Sequence, residues 1–210
     1  ARAPRNPYYS GPVSDHFDGT RFFNPDGAPP RGFRDLLRWR FGDKPAEWPA
    51  TVPLQAQVRP AERVDDLTVT MVGHATMLIQ TAGLNILTDP VWSDRASPVS
   101  FAGPKRVIAP GIAFDDLPPI DVVLLSHNHY DHLDVATLGR LKAAHDPRVI
   151  TPLGNDALIA ATGLRCETMD WGDRTKAAHL GVHCVPSHHW SARGVGDRSM
   201  ALWGGFVLTG

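Results

Sequence analysis

Apolar and polar residues alternate along the chain from residue 67 onward, and this pattern predicts β-strands. Leu67, Val69 and Met71 occupy every second position, as expected of a strand. Six further apolar segments also predict strands, namely 75–80, 84–88, 120–125, 149–150, 181–185 and 200–208. The triplet Thr81-Ala82-Gly83 between the first two of these segments predicts a hairpin turn. The continuous run at 120–125 predicts a buried central strand.

Helices are predicted where apolar residues recur three or four positions apart. Val135, Leu138 and Leu141 have this spacing and follow Asp134, a residue type that caps helix N-termini well. A second helix is predicted at 155–162, where Gly163 ends it. Strands in the first part of this region, followed by alternating strands and helices, predict an α/β fold.

The first sixty residues differ from the rest of the chain. They contain more than half of the 19 prolines and few apolar stretches, with one short helix predicted at 33–40. We therefore expect an irregular, proline-rich arm over 1–60 that wraps over a domain formed by 61–210. Trp39 and Trp48 are expected to anchor the arm on the core, because buried aromatic rings more often pack than recognise ligands. A role of the arm in lining a substrate groove or a dimer contact stays open.

Composition and charge narrow the classes of function. The chain has 210 residues, of which 42% are hydrophobic and 20% charged, so one soluble globular domain with a sizeable core is expected. The formal net charge of −1 gives no electrostatic support for binding to nucleic acid. No apolar run approaches the roughly 18 residues of a membrane span, which leaves the cytoplasm or the periplasm as the compartment. The chain starts at Ala1, so we expect a trimmed N-terminus, and any signal peptide or anchor would lie upstream.

The two cysteines, Cys166 and Cys184, do not form a Cys-x-x-Cys pair. Two cysteines in a chain of this size more often remain structural thiols than form a disulfide, so we expect both to be free.

The segment 126–134, Ser-His-Asn-His-Tyr-Asp-His-Leu-Asp, carries the candidate chemistry. Imidazoles and a carboxylate are the donors that zinc prefers. His127 and His129 are two positions apart, so in an extended loop their rings point the same way and can bind one ion. Asp131 and His132 are placed for a second ion, about 3.5–4 Å from the first. The segment follows the predicted strand 120–125, so it predicts a metal site at the C-terminal end of a central strand.

A further metal donor is predicted after the later strand at 181–185. The segment Pro186-Ser187-His188-His189-Trp190 follows that strand. Either of its two histidines could bind the same ion as His127 and His129, and the local sequence does not decide between them.

His-x-His-x-Asp-His resembles the signature of the metallo-β-lactamase superfamily, whose fold is a four-layer αββα sandwich. The order of several short segments resembles, more narrowly, the N-acylphosphatidylethanolamine-hydrolysing phospholipase D branch and its bacterial relatives. These segments are Gly73–Thr76, Leu87–Pro90, Ser93–Pro98, Gly103–Arg106, Leu117–Asp121, Pro186–Trp190 and Leu202–Gly204, with a looser likeness at Asn24-Pro25 and Arg38-Trp39. The resemblance favours His189 over His188 as the third ligand, beside His127 and His129.

The resemblance also bears on residues outside the metal loop. It implies that His74 and Asp89 both lie close to the site. Asp89 would support a ligand histidine or form an ordinary turn, two interpretations that we weigh equally, whereas for His74 a satisfied core histidine is the favoured expectation. Arg95, Lys105 and Arg106 could attract a phosphate, since arginine matches it with two hydrogen bonds, although solvated surface charges are the expected outcome for all three.

In the family, the second metal also takes a bridging carboxylate and one more histidine. Both are expected beyond Gly210, with Asp170 and Asp197 as remote substitutes only. We therefore expect residues 1–210 to be the N-terminal part of the sandwich and to bind one zinc alone, against two in the complete protein. Another chain could supply the remainder.

The resemblance implies a zinc-dependent hydrolase in which a metal-bound hydroxide attacks a phosphodiester, with Asp131 as the catalytic residue. The expected substrate is a phospholipid of the N-acylphosphatidylethanolamine type. Alternatives are a hydrolase of a lactone, an amide or a thioester, and a non-catalytic binding protein with a degenerate site. An apolar pocket would favour lipid, whereas a small polar pocket would favour the other hydrolases. Peripheral contact with a membrane and a homodimer both stay open.

Overall fold

The larger of two β-sheets forms the centre of the protein, in a computed structural model that describes residues 5–27, 31–42, 47–54 and 56–210. Its six strands lie in sequence order: β1 (Thr68–Gly73), β2 (Thr76–Thr81), β3 (Leu84–Thr88), β4 (Val122–Leu124), β5 (Arg148–Pro152) and β6 (Cys166–Met169). β1 to β3 are antiparallel, and β3 to β6 are parallel. Ala82 and Gly83 both have positive φ, the backbone conformation that a tight hairpin turn requires. The predicted hairpin between β2 and β3 is therefore confirmed.

A smaller antiparallel sheet packs against one face of the larger one. It consists of β7 (Arg174–Ala177), β8 (Leu180–Val185) and β9 (Gly205–Thr209). Leu180, Val182 and Cys184 alternate along β8, and all three are buried. They form one apolar cluster with larger-sheet residues that include Ile86 and Ile150. This shared cluster joins the two sheets face to face.

Helices cover the opposite face of the larger sheet. Asp134 caps α2 (Val135–Ala144) by accepting hydrogen bonds from two backbone amides of the first turn. After α3 (Asp156–Ile159) comes a 3-10 turn (Ala160–Thr162), and the chain then leaves the helical path at Gly163, whose φ is +72°. α2 and α3 bury Leu138, Leu141 and Ile159 against the sheet, so the predicted helices are confirmed. Among the described residues, no helix is long and apolar enough to cross a membrane.

These layers give the order helix, sheet, sheet, as expected for the predicted α/β sandwich. The apolar residues whose alternation predicts β1 nevertheless face solvent, with Val69 and Met71 more than half exposed. Val69 pairs with Ile79, and Ile79 pairs with Ile86 of the inter-sheet cluster, so these side chains share one face of the sheet. The smaller sheet packs on β3 to β6 and leaves this face of β1 uncovered.

The N-terminal arm contains α1 (Phe33–Gly42), which confirms the predicted short helix. The expectation that Trp39 and Trp48 anchor the arm is wrong, because they are 76% and 77% exposed. The anchors are instead Phe17 and Phe22, which pair in an isolated β-bridge and are buried with Trp203. Three rings that enclose one another remove far more apolar surface from water than a single ring among polar neighbours.

One strand prediction needs correction, and two strands were not predicted. The strand predicted at 200–208 begins only at Gly205, although Met200 to Trp203 are buried. The backbone amides of Leu202 and Gly204 donate to the loop carbonyls of Leu153 and Ser126, so this apolar run packs as a loop. Sequence analysis also missed β6 and β7. Both are sheet edges with few apolar residues, as is typical of strands that face solvent on one side.

Both cysteines are free thiols, as predicted. Cys184 is fully buried between the sheets, and Cys166 is partly buried in β6. Burial raises the pKa of each thiol to about 12, so both thiols are protonated at neutral pH and act as small apolar groups.

Candidate metal centre

The predicted metal loop follows β4 at the edge where the parallel strands β3 and β4 end. Leu125 continues β4 by donating its amide to the Ile150 carbonyl of β5. Residues 126–134 then leave the sheet and turn toward α2, with the amides of His132 and Leu133 both donating to the His129 carbonyl. This turn places the four candidate donors of the loop at the carboxyl ends of the parallel strands, where open α/β sheets commonly bind ligands.

The rings of His127, His129 and His189 converge on one point. Nε2 of His127 lies 2.8 Å from Nδ1 of His129 and 3.0 Å from Nε2 of His189. The third separation, between His189 Nε2 and His129 Nδ1, is 3.3 Å. A tetrahedral zinc with bonds of about 2.0–2.1 Å would hold its nitrogens about 3.3–3.4 Å apart. These three rings, which we call the first donor group, therefore fit one ion after small outward movements.

The three rings of the first donor group are neutral at neutral pH, and neutral rings can bind a metal. Burial, together with the charges of the neighbouring histidines, lowers the pKa of His127 to about 2 and that of His129 to about 4. Burial also lowers the pKa of His189. A hydrogen bond between two ring nitrogens needs one nitrogen that carries a proton and one that does not. Three ring nitrogens that face one another therefore cannot form hydrogen bonds in all three pairs. A shared cation would satisfy all three lone pairs.

A second donor group lies beside the first and consists of His74, Asp131 and His132. Nε2 of His74 lies 2.9 Å from Oδ2 of Asp131, and Nε2 of His132 lies 3.7 Å from the same oxygen. Asp131 carries a negative charge, because the neighbouring histidines and hydrogen bonds lower its pKa although burial opposes them. His74 thus stands as a possible third donor beside the Asp131 and His132 that the sequence predicts for a second ion.

His74 does not have the role that the sequence analysis favours for it. A satisfied core histidine is expected, but its side chain is 55% exposed and lies in the second donor group. It lies in the turn between β1 and β2 with a φ of +52°, and this turn brings its ring to Asp131, 57 residues away along the chain. Beside the family resemblance, the local signal for His74 is a histidine directly after a predicted strand.

A buried carboxylate supports both donor groups. Oδ2 of Asp89 accepts a hydrogen bond of 2.8 Å from Nδ1 of His132. Asp89 also accepts from the amide and the hydroxyl of Ser126, each at 2.7 Å, and that hydroxyl lies 2.8 Å from Nδ1 of His127. Burial lowers the pKa of His132, but the hydrogen bond with Asp89 and the charges of Asp89 and Asp131 outweigh burial and raise it. Of the two roles weighed for Asp89, these contacts favour support of a donor histidine.

A cavity of about 610 Å³ adjoins the second donor group. His74, His129 and Asp131 contribute to its lining, in which Lys105 and Arg106 supply positive charge and Asp94 a further negative charge. The rest of the wall is mainly apolar, and it includes Trp48, Val91, Ala96, Pro104, Val107 and Ile108. Since Trp48 belongs to the N-terminal arm, the open alternative that the arm lines a groove matches this structure better than the core-anchor expectation.

The remaining candidates lie outside both donor groups. His188, next to His189, belongs to neither group in the described part of the chain. Asp170 contacts His16 through Oδ1 at 2.7 Å, and Asp197 accepts a hydrogen bond of 2.6 Å from the hydroxyl of Tyr8. Both carboxylates therefore hold the N-terminal arm and do not substitute for a bridging ligand.

The sequence was compared with models of protein families, and the matching family covers the metal loop and most strands of both sheets. Residues 84–210 match the family described as Beta-lactamase superfamily domain. The chain belongs to the metallo-β-lactamase superfamily. The predicted family and the predicted class of fold are both confirmed by this match.

Curated superfamily relatives resemble most of this chain. It is 38% identical over 156 residues to the N-acyl-phosphatidylethanolamine-hydrolyzing phospholipase D 1 of Caenorhabditis elegans. The aligned segment covers 69% of this chain and 44% of that protein. It is also 38% identical over 147 residues to an uncharacterized protein of Mycobacterium tuberculosis, covering 69% of this chain and 39% of the relative. The chain therefore spans about two fifths of the length of these relatives.

A solved structure supports the same superfamily fold. Igni18, a metallo hydrolase from the archaeon Ignicoccus hospitalis, superimposes with a TM-score of 0.50 at 19% sequence identity. The match covers 68% of this chain and 55% of the archaeal one. At this identity the likeness bears on the fold alone.

Proposed function

We propose that this protein is a zinc-dependent hydrolase that cleaves a phosphodiester in a phospholipid of the N-acylphosphatidylethanolamine type. The observation that carries the proposal is the pair of adjacent donor groups beside a cavity with a mainly apolar wall. The 38% identity to the nematode phospholipase D supports the substrate class.

The two donor groups are suited to two divalent ions. Imidazole nitrogens and a carboxylate match the donors that zinc takes in catalytic sites. Ions bound there would supply a water of lowered pKa and an electrophile for a substrate oxygen. Asp131, half exposed and negatively charged, is the residue that would orient the attacking water and accept its proton. Asp89 and Ser126 would hold the histidines in the required tautomer.

The cavity supplies the reason to favour a lipid over a small polar substrate. Its apolar wall, including Trp48, Val107 and Ile108, offers an acyl chain a surface away from water. Lys105 and Arg106 in the same lining provide positive charge for a phosphate group. A lactone, amide or thioester would use the same donor groups but would not need basic residues beside the apolar wall.

The experiment combines metal analysis with a substrate panel on the full-length protein. Metal content is measured by mass spectrometry, and turnover is assayed with N-acylated phosphatidylethanolamine, an unacylated phospholipid, a lactone, an amide and a thioester. We expect bound zinc and the fastest turnover on the N-acylated phospholipid. His127→Gln should lower the zinc content and abolish turnover, whereas His188→Gln, which alters a histidine outside the donor groups, should preserve both. Metal-free active protein, or metal-bound protein that turns over only a non-phosphodiester, would refute the proposal.

A further inference from the structure

The loop that carries His189 depends on contacts from a distant part of the chain. It connects β8, which ends at Val185, to β9, which begins at Gly205. His189 itself lies in a segment without helix or strand. Its ring must nevertheless stay within 3.0–3.3 Å of the donor nitrogens of His127 and His129. The backbone of this loop therefore has to be held from outside.

Asn24 of the N-terminal arm provides such a contact. Its Nδ2 donates a hydrogen bond of 2.9 Å to the Ser187 carbonyl, and its Oδ1 accepts one of 3.3 Å from the His189 amide. One side chain thus binds the backbone on both sides of His188. The same Ser187 carbonyl accepts a 2.9 Å hydrogen bond from Nε1 of the buried Trp203, so the loop is tied to the core at the same point.

We propose that Asn24 is a positioning residue for the metal centre, fixing the backbone of His189 so that its ring completes the first donor group. The inference rests on the proposed function, in which that group binds an ion. It goes beyond it by assigning part of the metal centre to the N-terminal arm, outside the segment 84–210 that matches the superfamily.

The arm around Asn24 is anchored firmly enough for this role. Phe17 and Phe22 are buried with Trp203, and the Phe22 amide donates to the Ser199 carbonyl at 2.7 Å. Asn24 therefore extends from a packed segment, and the arm contacts the His189 loop at separated points.

Arg21 adds a third contact near the far end of the loop. Its guanidinium donates to the carbonyls of Gly196, at 2.9 Å, and Arg198. Asn6 and Tyr8 of the arm also bind this loop, at the Met200 carbonyl and at Asp197. With these contacts the loop has less freedom to move away from the other two histidines.

The chemistry of the contact requires an amide side chain. The Ser187 carbonyl needs a donor and the His189 amide needs an acceptor, and asparagine offers both on one planar group. Alanine offers neither. Aspartate keeps the acceptor but sets a negative oxygen against the Ser187 carbonyl, so it should retain only half of the contact.

The test measures metal affinity and site geometry in full-length protein carrying Asn24→Ala or Asn24→Asp. Affinity is measured by competition with a chelator, and geometry by the visible absorption of the Co²⁺-loaded protein. We expect about 10–100-fold weaker binding of the more tightly held ion in Asn24→Ala, the range typical for residues that orient metal ligands. Asn24→Asp should lie between this variant and the wild type. The Co²⁺ spectrum should change in both variants.

Asn6→Ala is the matched control. The Asn6 side chain also anchors the arm, through hydrogen bonds to the Thr20 and Met200 carbonyls, but it does not contact residues 187–189. Unchanged affinity and spectrum in Asn6→Ala, beside weakened binding in the Asn24 variants, support the inference. Equal losses in Asn6→Ala, or wild-type affinity and spectrum in both Asn24 variants, would overturn it. If the wild type binds no ion, the proposed function fails first and the inference fails with it.

Discussion

Asp89 and His132 are 43 residues apart in sequence, yet Oδ2 of Asp89 lies 2.8 Å from Nδ1 of His132. The same carboxylate accepts two hydrogen bonds from Ser126, whose hydroxyl contacts His127. One buried side chain at the end of β3 thus contacts a histidine of the second donor group directly and one of the first through Ser126. The tautomers and orientations of both rings depend on it.

The first prediction concerns this carboxylate. Asp89→Asn should weaken metal binding or turnover about 10–100-fold, the usual cost of losing a carboxylate behind a ligand histidine. Asparagine keeps the size of the side chain and tolerates the positive φ of this position, so the fold should survive. The measurement is chelator competition on the folded variant, with folding checked by circular dichroism.

Asp146→Asn is the control for Asp89→Asn. Asp146 also has positive φ, but it follows α2 and pairs with Lys142 at the surface. Metal affinity in this control should equal that of the wild type. An Asp89→Asn protein that binds metal as tightly as the control would exclude Asp89 from a supporting role.

The second prediction concerns His74, whose ring completes the second donor group. His74→Asn should lower the affinity for the second ion selectively. Asp131 and His132 would then be its two remaining donors, whereas the first donor group keeps all three. Asparagine is chosen because His74 has positive φ. Titration with zinc should give one tight equivalent per chain in place of two.

His188→Asn serves as the comparison for His74→Asn, since it removes a histidine beside the site that belongs to neither group. It should retain the wild-type stoichiometry. Two equally tight equivalents in His74→Asn would show that another residue completes the second group.

The third prediction concerns the pH dependence of folding in metal-free protein. In the folded state, burial and neighbouring histidines lower the pKa of His129 to about 4 and of His127 to about 2. The unfolded chain takes up protons near pH 6.5. The free energy of unfolding should therefore fall as pH decreases from about 6.5 to 4, with a slope of at most about 1.4 kcal/mol per pH unit for each histidine. Urea unfolding at several pH values measures this slope.

Two histidines with raised pKa affect the free energy of unfolding in a different pH range. His132 and His16 contribute stability that is complete below pH 6.5 and lost as pH rises through their folded-state pKa, so they do not offset the acid slope. His129→Gln should flatten the slope between pH 6.5 and 4, whereas His179→Gln, on an exposed turn, should not change it. An unaltered slope in His129→Gln would show that other groups cause the acid loss.

The parts of the site that sequence analysis predicted are those encoded by neighbouring residues. His127, His129, Asp131 and His132 lie within six positions after an apolar strand, so spacing alone indicates a shared site. His189 was singled out over His188 only through the family resemblance.

The residues whose place at the site the sequence analysis does not favour reach it through tertiary structure. His74 and Asn24 come from a turn and from the arm, and no local pattern relates them to residues 127–132. The same limit explains the errors about Trp39 and Trp48, because an isolated aromatic residue does not specify what it packs against. The loop at 200–204 shows that an apolar run predicts burial more reliably than it predicts a strand.

The last prediction separates catalysis from stability at Asp131. Asp131→Asn removes the negative charge shared by His74 and His132, and it should lower turnover by about 10²–10⁴-fold, the range for loss of a general base. The side chain is 45% exposed, so the free energy of unfolding of metal-free protein should change by less than about 1 kcal/mol. Steady-state kinetics and urea unfolding test both parts. Asp115→Asn, which alters an exposed acid outside the cavity lining, should leave both quantities near wild type. Equal turnover in the two variants would remove Asp131 from the chemistry.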